Sequence, residues 1–336
     1  MVVMRRLSVV ILNWNGTHHL ERYLPSVVRY SGDEAEVVIA DNGSTDGSVA
    51  WLKEHYPELR VISLDRNYGF AEGYNRAIAQ IDTEYVLLLN SDVEVTAGWL
   101  TPLISLLDRE VDVAAVAPKL LADRERDMFE YAGASGGFID YLGYPFCRGR
   151  ILSKVERDEG QYDDSRDIFW GSGAALCCRR KVFEELGGFD ASFFAHMEEI
   201  DLQWRMQLAG WRVMVEPRSV VYHLGGGTLP ASSFKIYLNH RNNLAMLYKC
   251  ASPMQRLVVA VVRPFTDGAE ALAHLATLHP HRAWAVLRAW GSFIAWHRRL
   301  SGERKRVKRV KRVNNIYGFS IILRYLCGKR HFNKLM

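Results

Sequence analysis

The sequence is short of several things that would each have named a class of protein. No run approaches the roughly 18 uninterrupted apolar residues of a membrane-spanning helix, so a soluble or peripheral protein is expected. The five cysteines (Cys147, Cys177, Cys178, Cys250 and Cys327) are odd in number and scattered, and none stand in a C-x-x-C pair. That usage argues against a disulfide framework and for reduced thiols in the cytoplasm. The apolar stretch at 7–13 has no small-residue cleavage site after it and reads as a first strand, not a signal peptide. A dinucleotide fingerprint is missing too. The G-x-G at Gly171-Ser172-Gly173 comes late and has Leu176 where a third Gly or Ala should stand. Acid is scarce at the far end, where 298–334 carries thirteen Lys or Arg against one carboxylate, Glu303. Because the whole chain is only +5, the remainder is mildly acidic, and the basic end asks for an anionic surface.

What is present is organised around VLLLNSDVEV at 86–95. Four apolar residues stop at Asn90-Ser91-Asp92, the pattern of a strand buried on both faces that ends in a polar turn. Strand patterns at 7–13, 36–40, 60–64, 84–89 and 113–118 alternate with helical ones at 17–30, 45–56, 70–81 and 97–108. This is α/β grammar: a mostly parallel sheet flanked by helices. Ligands of such sheets bind beyond the carboxyl ends of the strands. Four loops meet on that edge: Asn13-Trp14-Asn15-Gly16, the run 41–48, the run 65–70 and Asn90-Ser91-Asp92. Trp14 suits stacking on a base, Asp41 suits accepting from a base N–H, and Asp92 suits a hard divalent cation on a diphosphate. Asp46 is expected to cap the helix that follows it. No Lys or Arg occurs at 13–16, which disfavours a nucleotidyltransferase handling a triphosphate.

The succession VVILNWNG, VIADNGSTDGS, RNYGFAEGYNRAI and LLLNSDVEV resembles the nucleotide-sugar half of a family 2 glycosyltransferase with the GT-A fold, over about the first 120 residues. The resemblance implies that Asn13 and Trp14 pack on the base, that Asp41 binds it, and that Asn67 and Gly69 belong to the donor site. The family's Asp-x-Asp motif departs here at its first position. Asn90 then becomes a sugar or ribose contact, and Asp92 the ligand for Mn²⁺ or Mg²⁺. Residues 119–170 are irregular, with short antiparallel strands and a mobile loop near 150–167 expected. Beside Trp170, the small residues Gly171-Ser172-Gly173 would let backbone approach a sugar ring, or else mark tight strand packing.

Further on, FFAHMEEIDLQWRMQLAGW places Glu198, Asp201 and Arg205 on one helix face, with Asp201 and Arg205 spaced for an ion pair. The stretch resembles the family's acidic motif, which implies Glu199 as general base with Glu198 as the alternative. Resemblance also implies His223 as a second metal ligand and Arg241, paired with Asn242, near the diphosphate. Strands are expected at 213–215 and 219–222.

Beyond 250 the pattern is helical at 254–263, 267–279, 282–300 and 316–326, with Trp284, Leu287, Trp290, Phe293, Ile294 and Trp296 on apolar faces and ERKRVKRVKRV after them. A basic helix with Trp positions fits the headgroups of an anionic membrane; a solvated face or a nucleic-acid patch is the plainer alternative. The expected organisation is a glycosyltransferase unit at 1–250, divided into a nucleotide-sugar-binding half (1–120) and an acceptor and catalytic half (121–250), then a membrane-associating extension at 251–336. No Gln-x-x-Arg-Trp motif is present, so single-sugar transfer is expected. The functional expectation is inverting, metal-dependent transfer from a nucleotide-diphosphate sugar, dTDP-rhamnose or a UDP-sugar. The acceptor is a glycan or lipid-linked hydroxyl in cell-surface polysaccharide synthesis, at the inner face of the membrane, with no nucleic acid involved. The competing class is a non-catalytic basic scaffold on an inert α/β body.

Overall fold

A computed structural model describes residues 5–225, 232–313 and 315–335. The first part alternates as the periodicities require: β1 (Leu7–Asn13), α1 (Thr17–Ser31), β2 (Ala35–Asp41), α2 (Ser48–His55), β3 (Arg60–Ser63), α3 (Gly69–Ile78), β4 (Tyr85–Asn90), a short β5 (Val93–Val95), α4 (Leu100–Arg109) and β6 (Val113–Ala122). Four short strands, β7 (Gly137–Ile139), β8 (Pro145–Cys147), β9 (Arg150–Ile151) and β10 (Lys154–Val155), form a separate antiparallel sheet. There follow β11 (Arg166–Asp167), β12 (Ala175–Arg179), α5 (Arg180–Glu185), α6 (Glu198–Leu208), β13 (Arg212–His223) and α7 (Ser233–Cys250). The chain finishes with α8 (Pro253–Ala276), α9 (Pro280–Ala295), α10 (His297–Arg306) and α11 (Ile321–Leu326).

The main sheet runs β11-β13-β6-β12-β4-β1-β2-β3, with β5 against β13. β3, β2, β1 and β4 are parallel, and β12 enters antiparallel between β4 and β6. Strand order reverses at β1, so the loops after β1 and β4 splay apart and leave a crevice. Val86 to Leu89 are fully buried, because helices cover both faces of their strand.

Several expectations shift in detail. β13 is one strand with an irregularity between Glu216 and Val220, where two strands were expected. Residues 150–167 are not a free loop. Lys119 pairs with Asp158 and Asp163, Arg148 pairs with Asp164, and β9, β10 and β11 lie within the stretch. Helix α8 runs unbroken through Pro264, where the sequence pattern suggested two helices. Pro264 removes only one N–H, and the buried Arg263–Asp267 pair (2.9 Å) spans the site one turn apart. At Trp296, conversely, α9 gives way to α10.

The segment beyond 250 shares the core of the rest. Val259, Leu300, Ile321 and Phe332 join the same buried cluster as Val86 and Trp204. Asp140 accepts from the Ile321 amide and Glu156 from the Phe332 amide. Arg304 and Arg309, part of the basic run, donate to carbonyls at the end of α7 and just beyond it. Asp267 is wholly buried and takes hydrogen bonds from Arg263 and Trp290. Asp267→Ala would leave a buried guanidinium without its carboxylate, so urea unfolding should show a loss of about 3–5 kcal/mol.

Candidate active site

The crevice at the carboxyl edge is a cavity of two lobes. One, of about 450 Å³, is lined by Trp14, His19, Asn42, Asn67, Gly69 and Phe234 among others. The other, of about 580 Å³, is lined by Asp92, Glu130, His196, Glu198, Glu199 and His223 among others. Phe70, Asn90 and Ala195 line both and form the passage between them.

The first lobe is built from strand-end loops that tie one another down. Asn13 and Asp41 are register partners at the ends of β1 and β2, and the Asn13 amide donates to Asp41 (3.3 Å) and Ser44 (3.2 Å). Both are buried and do not line the cavity, whereas Trp14 stands half-exposed on its wall. Asp46 accepts from the Ser48 amide at the start of α2, and also from the Thr17 amide (2.9 Å), which fastens the second loop to α1. Asn67 accepts from the Gly69 amide and from Asn42, so it shapes the third loop while facing the lobe. Gly69 needs its left-handed φ of 76°, and a Cβ there would run into the Phe194 ring.

The second lobe holds most of the titratable groups. Asp92 follows β4, and His223 ends β13, which pairs with β5. His223 Nε2 lies 3.2 Å from Asp92 Oδ1, and its Nδ1 lies 3.4 Å from Glu130 Oε1. Burial disfavours charge on this imidazole, but the two carboxylates outweigh burial and hold its pKa up at about 10. Burial likewise opposes charge on Asp92, and His223 overrides it, keeping that carboxyl below its ordinary range. Asp92 Oδ1 faces only the His223 ring, Oδ2 is buried with no donor, and one oxygen each of Glu198 and Glu199 is buried and unpartnered. Buried carboxylate oxygens are costly unless a donor or a cation completes them. Among the described residues no group of three or more metal-ligating side chains converges. Asp92 could hold a cation, joined by His223 only once the imidazole has given up the proton that its two carboxylates favour, with the remaining ligands coming from elsewhere.

Glu198 and Glu199 open α6, where the helix N-terminus favours negative charge. Burial nonetheless dominates. It lifts Glu199 to about 7, with backbone N–H bonds opposing, and lifts Glu198 well above the usual carboxylate range, with the charge of Glu199 adding to it. The helix is launched from a strained segment: Phe194, His196 and Met197 all take positive φ, at 65°, 70° and 71°. Each such residue costs about 1–3 kcal/mol. Asn242 holds the segment, its amide donating to the carbonyls of Phe193, Ala195 and His196 at 2.8–3.0 Å. Arg241 donates to Ser192 and Phe193. From the other side, the Phe194 carbonyl accepts from Phe70 and Ala71 at the start of α3.

The structure thus gathers Asp92, His223, Glu198, Glu199 and Asn90 in one lobe and Trp14, Asn67 and Gly69 in the other. Four residues are corrected. Asn13 and Asp41 stand behind the first lobe and do not line it, because their side chains are spent on one another and on Ser44. Arg241 is not at the cavity; its guanidinium is spent on backbone carbonyls and lies against Trp296 (4.4 Å), so it braces the acidic helix. Trp170 is buried in the core against Gly137, donating to the Phe138 carbonyl (2.9 Å), and it is Ser172, Gly173 and Ala174 that face the lobe. The expected Asp201–Arg205 pair forms at 2.8 Å. Glu130 and His196 escaped the sequence reading. Glu130 lies in the irregular stretch, where no periodicity marks it, and His196 had only its place before the acidic pair as a sign. Of the Gly-rich run after His223, residues 226–231 lie outside the described residues.

Comparison with known proteins agrees with this architecture. The model for glycosyl transferase family 2 matches residues 8–187. The N-acetylglucosaminyl-diphospho-decaprenol L-rhamnosyltransferase of Mycobacterium tuberculosis is 31% identical over 233 residues, covering 65% of this chain and 75% of that one. Rhamnosyltransferase WbbL of Escherichia coli is 25% identical, covering 62% and 80%. Among solved structures, the mannosyltransferase PcManGT of Pyrobaculum calidifontis, in complex with GDP-Man and Mn²⁺, superposes with a TM-score of 0.52 at 17% identity, covering 91% and 86%. GalNAc-T7 with UDP, GalNAc and Mn²⁺ gives 0.61 at 17% identity; the match covers 79% of this chain and 51% of that longer one.

Replacing Asn242 by Ala takes a donor from three carbonyls, of which that of Phe193 keeps Arg241. Urea denaturation should show a loss of about 1–3 kcal/mol, and donor turnover should fall more than donor affinity, because the start of α6 moves.

Proposed function

The chain belongs to glycosyl transferase family 2, and from that premise we propose that it transfers a single sugar by inverting displacement. The donor is a nucleotide-diphosphate sugar, dTDP-rhamnose or a UDP-sugar, and the acceptor a glycan or lipid-linked hydroxyl in cell-surface polysaccharide synthesis. Acting at the inner face of the membrane, the enzyme works on single acceptors. The observation that carries the reading is the convergence of Asp92, His223 and Glu199 on one lobe, beside a second lobe that offers Trp14.

In this reading the nucleotide lies in the Trp14 lobe with the base against the indole, and Asn13 and Asp41 shape that end from below. Asn90, at the passage, meets the sugar or ribose. A divalent cation, Mn²⁺ or Mg²⁺, held by Asp92 and His223 would neutralise the departing diphosphate. Glu199 takes the proton from the acceptor hydroxyl, and its raised pKa makes it a competent base near neutrality. Glu198, pushed further up, stays protonated and shields Glu199 from a second charge. The carboxylate form of Glu199 is the active one, so activity is present above its pKa and lost as pH falls through it. The names of the rhamnosyltransferase relatives support a deoxyhexose donor and a polyprenyl-diphosphate-linked acceptor. The exposed part of the basic C-terminal segment supports an anionic membrane nearby.

Glu199→Gln should lower kcat by about 10²–10⁴-fold, the range for loss of a general base, while calorimetry with the nucleotide diphosphate shows unchanged affinity. The wild-type kcat/KM should fall on an acid limb near pH 7. Unchanged turnover in the variant refutes the assignment. Asp92→Ala should instead abolish the Mn²⁺-dependent part of nucleotide binding, read in the same calorimeter with and without the metal.

A further inference from the structure

Helix α8 is amphipathic the wrong way round. Its inward face, at 255, 259, 263, 267 and 271, presents Gln255, Arg263 and Asp267 to the body of the protein, all essentially buried. Its outward face, at 254, 257, 261, 265, 272 and 275, is Met254, Leu257, Val261, Phe265, Leu272 and Leu275, every one exposed, Phe265 at 76%. The other exposed positions of α8 are Pro and Ala, so no exposed residue of this helix carries a charge. The stripe runs the length of a 24-residue helix, about 36 Å at 1.5 Å per residue. It continues across the turn through Leu278, 87% exposed, to Trp284, Leu287 and Ile294 on α9. An exposed apolar face this long is a contact surface, not ordinary surface scatter.

We infer that the outward face of α8 and α9 docks on an anionic lipid bilayer, lying in the headgroup plane, with the cations of α10 beside it. Charge decides between occupants. Arg298, Lys305, Arg306 and Lys308 are exposed on or just after the helix that follows α9 directly, while the guanidinium groups of Arg304 and Arg309 are spent on backbone carbonyls. A second copy of the chain would bring this cationic border against itself. A bilayer with anionic headgroups meets both features at once: apolar side chains reach the acyl boundary and the border stays at the headgroups. The hairpin also abuts the cavity, for α9 buries Ala285 and Ala289 against Tyr237, Leu238 and Ala195, and Ala195 lines both lobes. This inference rests on the lipid-linked acceptor of the proposed function and assigns its delivery to that face.

The test is flotation of the full chain with vesicles of phosphatidylglycerol and phosphatidylcholine, compared with phosphatidylcholine alone. Wild type should float with the anionic vesicles. The exposed-face variant L257Q/F265Q/L272Q should bind them about tenfold or more weakly, with an unchanged melting temperature and unchanged transfer to a water-soluble acceptor. Brominated acyl chains should quench wild-type fluorescence, and W284F should lose part of that quenching. Flotation of the triple variant like wild type, failure of wild type to float, or a self-association in solution that the triple variant abolishes would each overturn the inference. Transfer in solution without flotation refutes the docking and leaves the proposed function standing; flotation without any use of nucleotide-sugars does the reverse.

Discussion

The site depends on four residues of chain, 194–197, bent into a conformation that three of their side chains resist. Strain of that kind persists only where neighbours over-determine it. Here the neighbours come from two directions: Asn242 and Arg241 from α7, and the first amides of α3 from the nucleotide side. A single carbonyl, that of Phe194, therefore joins the helix that shapes one lobe to the helix that carries the acids of the other. The two lobes keep their spacing because that joint has no slack.

Within the second lobe, identical chemistry is pulled in opposite directions by its surroundings. Asp92 and Glu199 are carboxylates of one cavity, Asp92 buried and Glu199 half-buried. The imidazole of His223 beside Asp92 keeps that group charged, while Glu199 has only backbone N–H groups against burial and sits near neutrality. Separating two acids in this way lets one hold charge continuously and the other exchange a proton. Glu130 completes the arrangement by holding the far nitrogen of His223.

How much of this was legible depended on whether a residue's task leaves a local trace. Buried parallel strands leave one, since apolar runs that stop at polar turns locate Asn13, Asp41 and Asn90 at strand ends within a residue. The acidic helix leaves one as well. Arg241 and Trp170 misled because a motif records that a residue matters without recording what it touches. Arg241 grips carbonyls, and Trp170 fills a space opened by Gly137. Glu130 left no trace, because its position is set by pairings such as the isolated bridge from Leu121 to Phe129, far from any periodic segment. Pro264 was read as a break, yet a helix tolerates one missing N–H when a buried ion pair spans the turn.

The insertion of β12 between β4 and β6 has a consequence for how the polypeptide emerges during synthesis. Its five residues complete the middle of the sheet, but they arrive more than fifty positions after β6. Until then β4 keeps one apolar edge unpaired, and β6, whose neighbours β12 and β13 both come later, has no strand to pair with. A ribosome pausing before residue 175 would thus prolong the exposure of both strands, and protection by a chaperone matters in that interval.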